Sequence, residues 1–180
     1  MAFRWETERL KLRLWEPKQD AIAAHKIYGD SEVMRYIREP EPNIAATAKK
    51  LLAYRELTLQ STNGTGIWAV IEKETDMPIG SILLVELPDN QGDRGTGDFE
   101  IGWHFRKASW GKGFAFEAAT HLLNYGFDEL KLPAIYAVLR EENWRSQRLA
   151  ERLKMKSFGK TNKYYATELL LFGITTEDFI

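Results

Sequence analysis

The sequence predicts a mixed α/β protein with helices packed on one central sheet. Apolar residues recur with period two in some segments and with helical spacing in others. The segments run strand, helices, three strands, helix, strand, helix, strands, which is the order of a layered sheet-and-helix architecture. No repeat, low-complexity tract or Pro/Gly/Ser-rich linker divides the 180 residues, so one domain over 1–180 is expected. With 44% hydrophobic and 28% charged residues the chain is an ordinary globular protein. A chain of this length buries roughly 70% of its unfolded surface and needs no covalent staple.

The first strand lies in Thr7–Leu14, where Leu10, Leu12 and Leu14 alternate with charged residues. Pro17 punctuates it, and Asp20 is the expected cap of a helix through Ala21, Ala24, Ile27 and Tyr28, ending near Gly29. A short helix follows Asp30-Ser31, with Val33, Met34 and Ile37 as its apolar side. Pro40 and Pro42 close it, and Asn43 starts a helix reaching about Leu59. Residues 61–66 are a loop, and Ile67–Glu72 and Ile79–Val85 form a hairpin. The polar, Gly-rich stretch 88–97 reads as a second loop, followed by a strand over Asp98–Phe105. Helices are predicted from Phe114 to about Phe127 and from Ser146 to Met155. Strands are predicted over Ile135–Leu139, Ser157–Lys160 and Thr167–Ile174.

Composition excludes several functions. Lys+Arg number 25 and Asp+Glu 26, a net charge of −1, which argues against a nucleic-acid partner held through its phosphate backbone. The first six residues lack the apolar run of a signal peptide, and no stretch approaches a membrane span. A cytoplasmic protein with no membrane partner is expected. Zero cysteine removes disulfides, Cys-ligated metal sites and any thiol nucleophile. No metal is expected, and the sequence leaves a monomer or a homodimer open.

The most informative segment runs from Glu100 through Trp110-Gly111-Lys112-Gly113-Phe114-Ala115. A strand ends, two glycines flank one lysine in a turn, and a helix begins. Glycine permits positive φ and close backbone approach, and the first helical amides point outward without partners. With the helix dipole and Lys112, that is an anion site. It is not a Walker loop, because Gly113 stands where Ser or Thr would hold magnesium. The third glycine of a dinucleotide fingerprint is absent as well.

This segment resembles the acetyl-CoA pyrophosphate loop of the GCN5-related N-acetyltransferases (GNAT), and more narrowly their RimJ/RimL-like ribosomal-protein branch. Thr7-Glu8-Arg9-Leu10, Trp68-Ala69-Val70, Ile79-Gly80, Glu100-Ile101-Gly102-Trp103, Glu117-Ala118 and the Asn143/Ser146/Leu149 spacing agree in the same order. The likeness spans about residues 6–175. It implies the GNAT fold, a mixed sheet with a splayed strand pair that forms the CoA cleft. It also implies direct acetyl transfer from acetyl-CoA to an amine, either a protein N-terminal amine or a small-molecule amine. Trp103, His104 and Phe105 are then expected to pair with the pantetheine arm. Trp110 through Ala115 would hold the pyrophosphate, with Asn143 as a further cofactor contact. Glu100 is the candidate base, Glu168 a secondary one, and Ser146 the proton donor to the CoA thiolate. Competing roles are core packing for Trp103 and Phe105, a structural place for His104, and helix capping for Asn143 and Ser146. Three departures stand out. Ala108 replaces a frequent Gln or Arg, Ala150 replaces a frequent catalytic Tyr, and Lys154 replaces the Gly that commonly ends the late helix. The missing Tyr keeps a second reading open, a non-catalytic acyl-CoA-binding module.

Charge is unevenly spread. Residues 140–163 hold eight Lys/Arg and three Asp/Glu, a net +5, and residues 86–100 hold five acids and Arg94, a net −4. The expectation is a basic segment for the CoA phosphates and an acidic loop that draws in a cationic amine.

Overall fold

Leu10 and Leu12 are fully buried while Lys11 and Arg13, which alternate with them, are not, as period two requires of a half-buried strand. The computed structural model describes residues 5–179. Their contacts divide into two compact units, one of residues 5–83 with 103–118 and one of residues 84–102 with 119–179.

The first unit carries β1 (Trp5–Glu6), β2 (Leu10–Arg13), β3 (Gly66–Glu72), the start of β4 (Met77–Pro88) and the end of β5 (Arg94–Phe105), hydrogen-bonded in that order. β2 is antiparallel to β1 and to β3, with Leu12 opposite Val70. Helices α1 (Pro17–Tyr28), α2 (Ser31–Met34) and α3 (Ile44–Gln60) bury Ala24, Ile27, Tyr28, Val33, Met34 and Leu51 against Trp15, Ala69 and Ile71. Asn43 caps α3 as expected, accepting from the Ala46 amide at 2.9 Å. Asp20 does not cap α1. Pro17 opens the helix, and the buried Asp20 carboxylate lies in its first turn, where it takes both Arg13 guanidinium nitrogens at 2.7 and 2.9 Å. It also accepts the Glu16 amide at 2.8 Å. Proline at the first helical position outranks a downstream acid as the start signal. α2 stops at Met34, which leaves Ile37 40% exposed and outside the expected apolar side.

The second unit carries the remaining parts of β4 and β5, then β6 (Ala134–Leu139), β8 (Leu169–Thr175) and β7 (Lys156–Thr161), in that hydrogen-bonded order. β8 is antiparallel to β6 and β7. β5 meets β6 in parallel at one residue pair among those described, Glu100 opposite Tyr136. The stretch 88–97 is mostly strand rather than loop, because β4 runs to Pro88 and β5 starts at Arg94. Only residues 89–93 turn, and the Asp89 carboxylate holds them by accepting the Gln91 and Asp93 amides at 2.8 and 3.0 Å. α4 (Phe114–Asn124) continues into a wider turn, Tyr125–Glu129, where Gly126 leaves room for Ile135. β1 and a terminal turn of helix, α6 (Thr176–Phe179), escape the sequence reading.

α5 spans Trp144–Arg152, two residues earlier than expected at its start. Beyond its end, Lys154 takes the left-handed conformation that glycine usually supplies, at φ +62°. The Met155 amide then bonds the Ala150 carbonyl at 3.0 Å. A side chain in that conformation costs about 1–2 kcal/mol. Lys154→Gly is therefore expected to stabilise the fold by about 1 kcal/mol in urea unfolding.

Candidate functional site

The phosphate-type turn lies in the first unit. After β5 a short helical turn, Lys107–Ser109, leads into Trp110-Gly111-Lys112-Gly113, and α4 starts at Phe114. Gly111 and Gly113 both have left-handed backbone, at φ +74° and +80°. A Cβ built on Gly111 would meet nothing within 4 Å, so the glycine keeps one face of the turn clear. Trp110 faces inward. Its indole N–H donates to the Phe105 carbonyl at 2.7 Å, which fastens the turn to the end of the strand, and its ring packs on the apolar core of the unit.

Arg9, just before β2, braces the turn. Its guanidinium donates to the Lys112 carbonyl at 2.9 Å and to Glu117 of α4 at 2.7 Å, and it stacks 4.6 Å from the Phe114 ring centroid. A Cβ on Gly113 would come within 3.3 Å of the guanidinium. Glu117 also accepts the Thr7 hydroxyl at 2.5 Å and the Arg9 amide at 2.8 Å. Against desolvation, these bonds hold the Glu117 carboxyl below the ordinary range. The sequence presents Thr7, Arg9 and Glu117 only as parts of a resemblance. That they form one brace is invisible until residues about 110 apart meet.

His104 and Phe105 end β5. Phe105 is buried against Gly80, where an added Cβ would strike its ring. His104 sits edge-on to Tyr28, with ring centroids 6.0 Å apart. Desolvation, aided by the Arg38 charge, lowers His104 to about 4, so its imidazole is neutral at pH 7 and a poor base. Trp103 is half-buried. Lys112 is exposed, Phe114 is buried, and Ala115 is half-buried in the first turn of α4.

The carboxylate and the late helix lie in the second unit. Glu100 accepts the Tyr165 hydroxyl at 2.6 Å. Desolvation raises its carboxyl to about 7, against the Tyr165 hydrogen bond and the Arg94 charge. Glu168 differs: it is exposed and ion-paired with Lys160 at 3.2 Å. Asn143 takes the capping role, accepting the Ser146 amide at 3.2 Å, and Ser146 stands in the first turn of α5. Ala150 is fully buried.

Ion pairs occupy part of each charge block. Lys163 of the basic block is 2.6 Å from Asp98 of the acidic one, and Lys160 pairs with Glu141 at 2.8 Å. Lys156 pairs with Asp178 at 2.6 Å, and Asp89 is occupied in its own turn. The ion pair of Lys163 with Asp98 joins the two blocks. Among the described residues no group of three or more His, Asp or Glu is arranged to hold a metal ion. Among the described residues, no helix is long and apolar enough to cross a membrane.

Comparison with known proteins bears on the family and the fold. The family profile described as Acetyltransferase (GNAT) domain matches residues 9–156. The uncharacterized N-acetyltransferase p20 of Bacillus licheniformis is 33% identical over 159 residues, covering 88% of this chain and 85% of p20. The crystal structure of a GNAT-family acetyltransferase from Bacillus anthracis superposes with a TM-score of 0.79 at 28% identity, covering 97% of this chain and 99% of that one. A structure from Vibrio cholerae, assigned as a ribosomal-protein-serine acetyltransferase, shares the fold with a TM-score of 0.77 at 18% identity, covering 96% of this chain and 97% of that one. Family enzymes use acetyl-CoA as cosubstrate and act on an acceptor. With the profile spanning most of the chain, this protein is an acyltransferase and belongs to the GNAT acetyltransferase family.

Proposed function

We propose that the chain works as one N-acetyltransferase domain that moves the acetyl group of acetyl-CoA directly onto a primary amine. The observation that carries this is the left-handed Gly111–Lys112–Gly113 turn, clear on the Gly111 face, opening α4 and braced by Arg9. Such a turn fits a pyrophosphate, since helix N-terminal amides and Lys112 both favour an anion. Trp103, His104 and Phe105 would offer backbone groups to the pantetheine arm, one of their amides meeting the oxyanion. Trp110 shapes the turn from beneath, while Phe114 and Ala115 contribute first-turn amides. Asn143 caps α5 through its oxygen and has an amide nitrogen to offer the cofactor.

The proposed reaction needs no covalent enzyme intermediate, in line with the absence of cysteine. The acceptor enters as the neutral amine, and Glu100 accepts a proton from its nitrogen as the C–N bond forms and then releases it to water. The amine nitrogen bonds to the thioester carbonyl carbon, the C–S bond breaks, and Ser146 protonates the departing thiolate before recovering its proton from water. The acceptor in this reading is a protein N-terminal amine or a small-molecule amine. The fold shared with the Vibrio cholerae protein supports the first, and with it a place in the RimJ/RimL-like branch.

Arg9→Ala tests the turn. Losing the brace is expected to raise the dissociation constant of acetyl-CoA about tenfold with little change in kcat, read by calorimetric titration and steady-state kinetics. Unchanged affinity would take the brace, and with it the turn, out of cofactor binding. The buried Ala150 favours one second reading, an acyl-CoA-binding module without turnover. Acetyl-CoA binding without CoA release across an amine panel would establish that reading instead.

A further inference from the structure

The segment joining β7 to β8 is held in a costly shape. Tyr165 and Ala166 both have left-handed backbone, at φ +58° and +51°, although neither is glycine. Left-handed backbone at two side-chain-bearing residues in a row is strained, and strain of that kind persists only where neighbours impose it. Here three side chains do so. Asn90, in the β4–β5 turn, donates through Nδ2 to the Asn162 carbonyl at 2.8 Å and accepts the Ala166 amide at 3.0 Å. Asp98 of β5 takes Lys163 Nζ and the Tyr164 hydroxyl, each at 2.6 Å. Arg140 donates to the Thr167 hydroxyl at 2.9 Å. The clamped segment delivers one further contact, the Tyr165 hydroxyl on Glu100 Oε2 at 2.6 Å. Asp98 and Glu100 stand two residues apart on β5, so both project from the same face, and successive residues of the segment bind them in turn.

We propose that Tyr165 is the positioning residue for Glu100, its phenol fixing the orientation of the carboxylate for proton transfer. The catalytic meaning of this role rests on the reading of Glu100 as the base; the positioning itself does not. The charged and titratable groups around Glu100 are few. Arg94 and Asp98 share its strand, Asp98 already satisfied by Lys163 and Tyr164. Glu86 of β4 is engaged by the Gly97 amide at 2.7 Å, and Tyr136 of β6 lies opposite in register. Desolvation lifts the Glu100 carboxyl, and the Tyr165 hydrogen bond and Arg94 are what oppose it. A carboxyl near 7 is half-ionised at neutral pH, so losing the phenol would leave it mostly protonated there.

The test is a carbon-13 NMR titration of the glutamate side-chain carboxyls in the wild type and in Tyr165→Phe, with Glu100 assigned through Glu100→Gln. The kcat/KM pH profile is measured on the same proteins. Tyr165 is 42% exposed, so Phe is expected to fold normally there. The Glu100 midpoint should move upward by about one pH unit, with acetyl-CoA affinity unchanged. Asn90→Ala, which frees the segment and leaves both partners intact, should move it in the same direction. An unmoved Glu100 midpoint in Tyr165→Phe would overturn the proposal. A midpoint that moves while the acidic limb of the rate profile stays fixed would uphold the positioning and remove Glu100 as the base.

Discussion

Glu100→Gln is expected to lower kcat/KM for the amine by about a hundredfold to a thousandfold at pH 8 while leaving acetyl-CoA affinity within about twofold. The amide keeps the size of the carboxylate and can still accept the Tyr165 hydroxyl, so geometry survives and only proton acceptance is lost. In the wild type, Glu100 is the base only when ionised, so activity should rise as pH passes through about 7. The variant should lack that rise. Stability should change in the opposite sense. The folded state raises this carboxyl from 4.5 to about 7 and therefore holds more protons than the unfolded chain across that interval. Its contribution to stability is present below 4.5 and declines as pH climbs to 7. Thermal unfolding should consequently show Glu100→Gln gaining on the wild type at pH 8 relative to pH 5. A site that trades stability for a poised base behaves in this way.

Gly111→Val is the second large effect. At φ +74° a β-branched residue is strained by about 1–2 kcal/mol, which a domain of this size tolerates. Its side chain would occupy the face that glycine keeps clear. Acetyl-CoA affinity should fall at least a hundredfold, read by calorimetry, with the circular dichroism spectrum of the folded protein retained. Gly113 is a less clean target, because a side chain there also presses on the Arg9 guanidinium and disturbs the brace.

Much of the fold was legible because burial imposes a period. Leu10, Leu12 and Leu14 announce β2, and Asn43 announces α3 because its side chain can take only one short-range role there. The turn at Gly111–Gly113 was legible for the same local reason, since positive φ selects glycine. What escaped depends on distant or exposed partners. The start of β5 is polar, Gly-rich and mostly exposed, and β4 ends on a proline, so nothing marks either as strand against the adjacent turn. Asp20 looks like a cap until Arg13 claims it. Lys154 and Tyr165 adopt backbone conformations that their residue types argue against, and only their neighbours account for it. The net charge concealed ion pairs as well as a cancellation, for Lys163 and Asp98 belong to opposite blocks and bind each other.

The claim at the centre is direct acetyl transfer to an amine with Glu100 as the base. It is tested most directly by mass spectrometry of wild type and Glu100→Gln given acetyl-CoA and a panel of amines: peptides with free N-termini, polyamines and aminoglycosides. At least one amine should become acetylated by the wild type with equal release of CoA and no acetylated enzyme, and Glu100→Gln should form that product at least a hundredfold more slowly. An acetyl group found on the protein as an intermediate, or product formed equally fast by both proteins, would contradict the account.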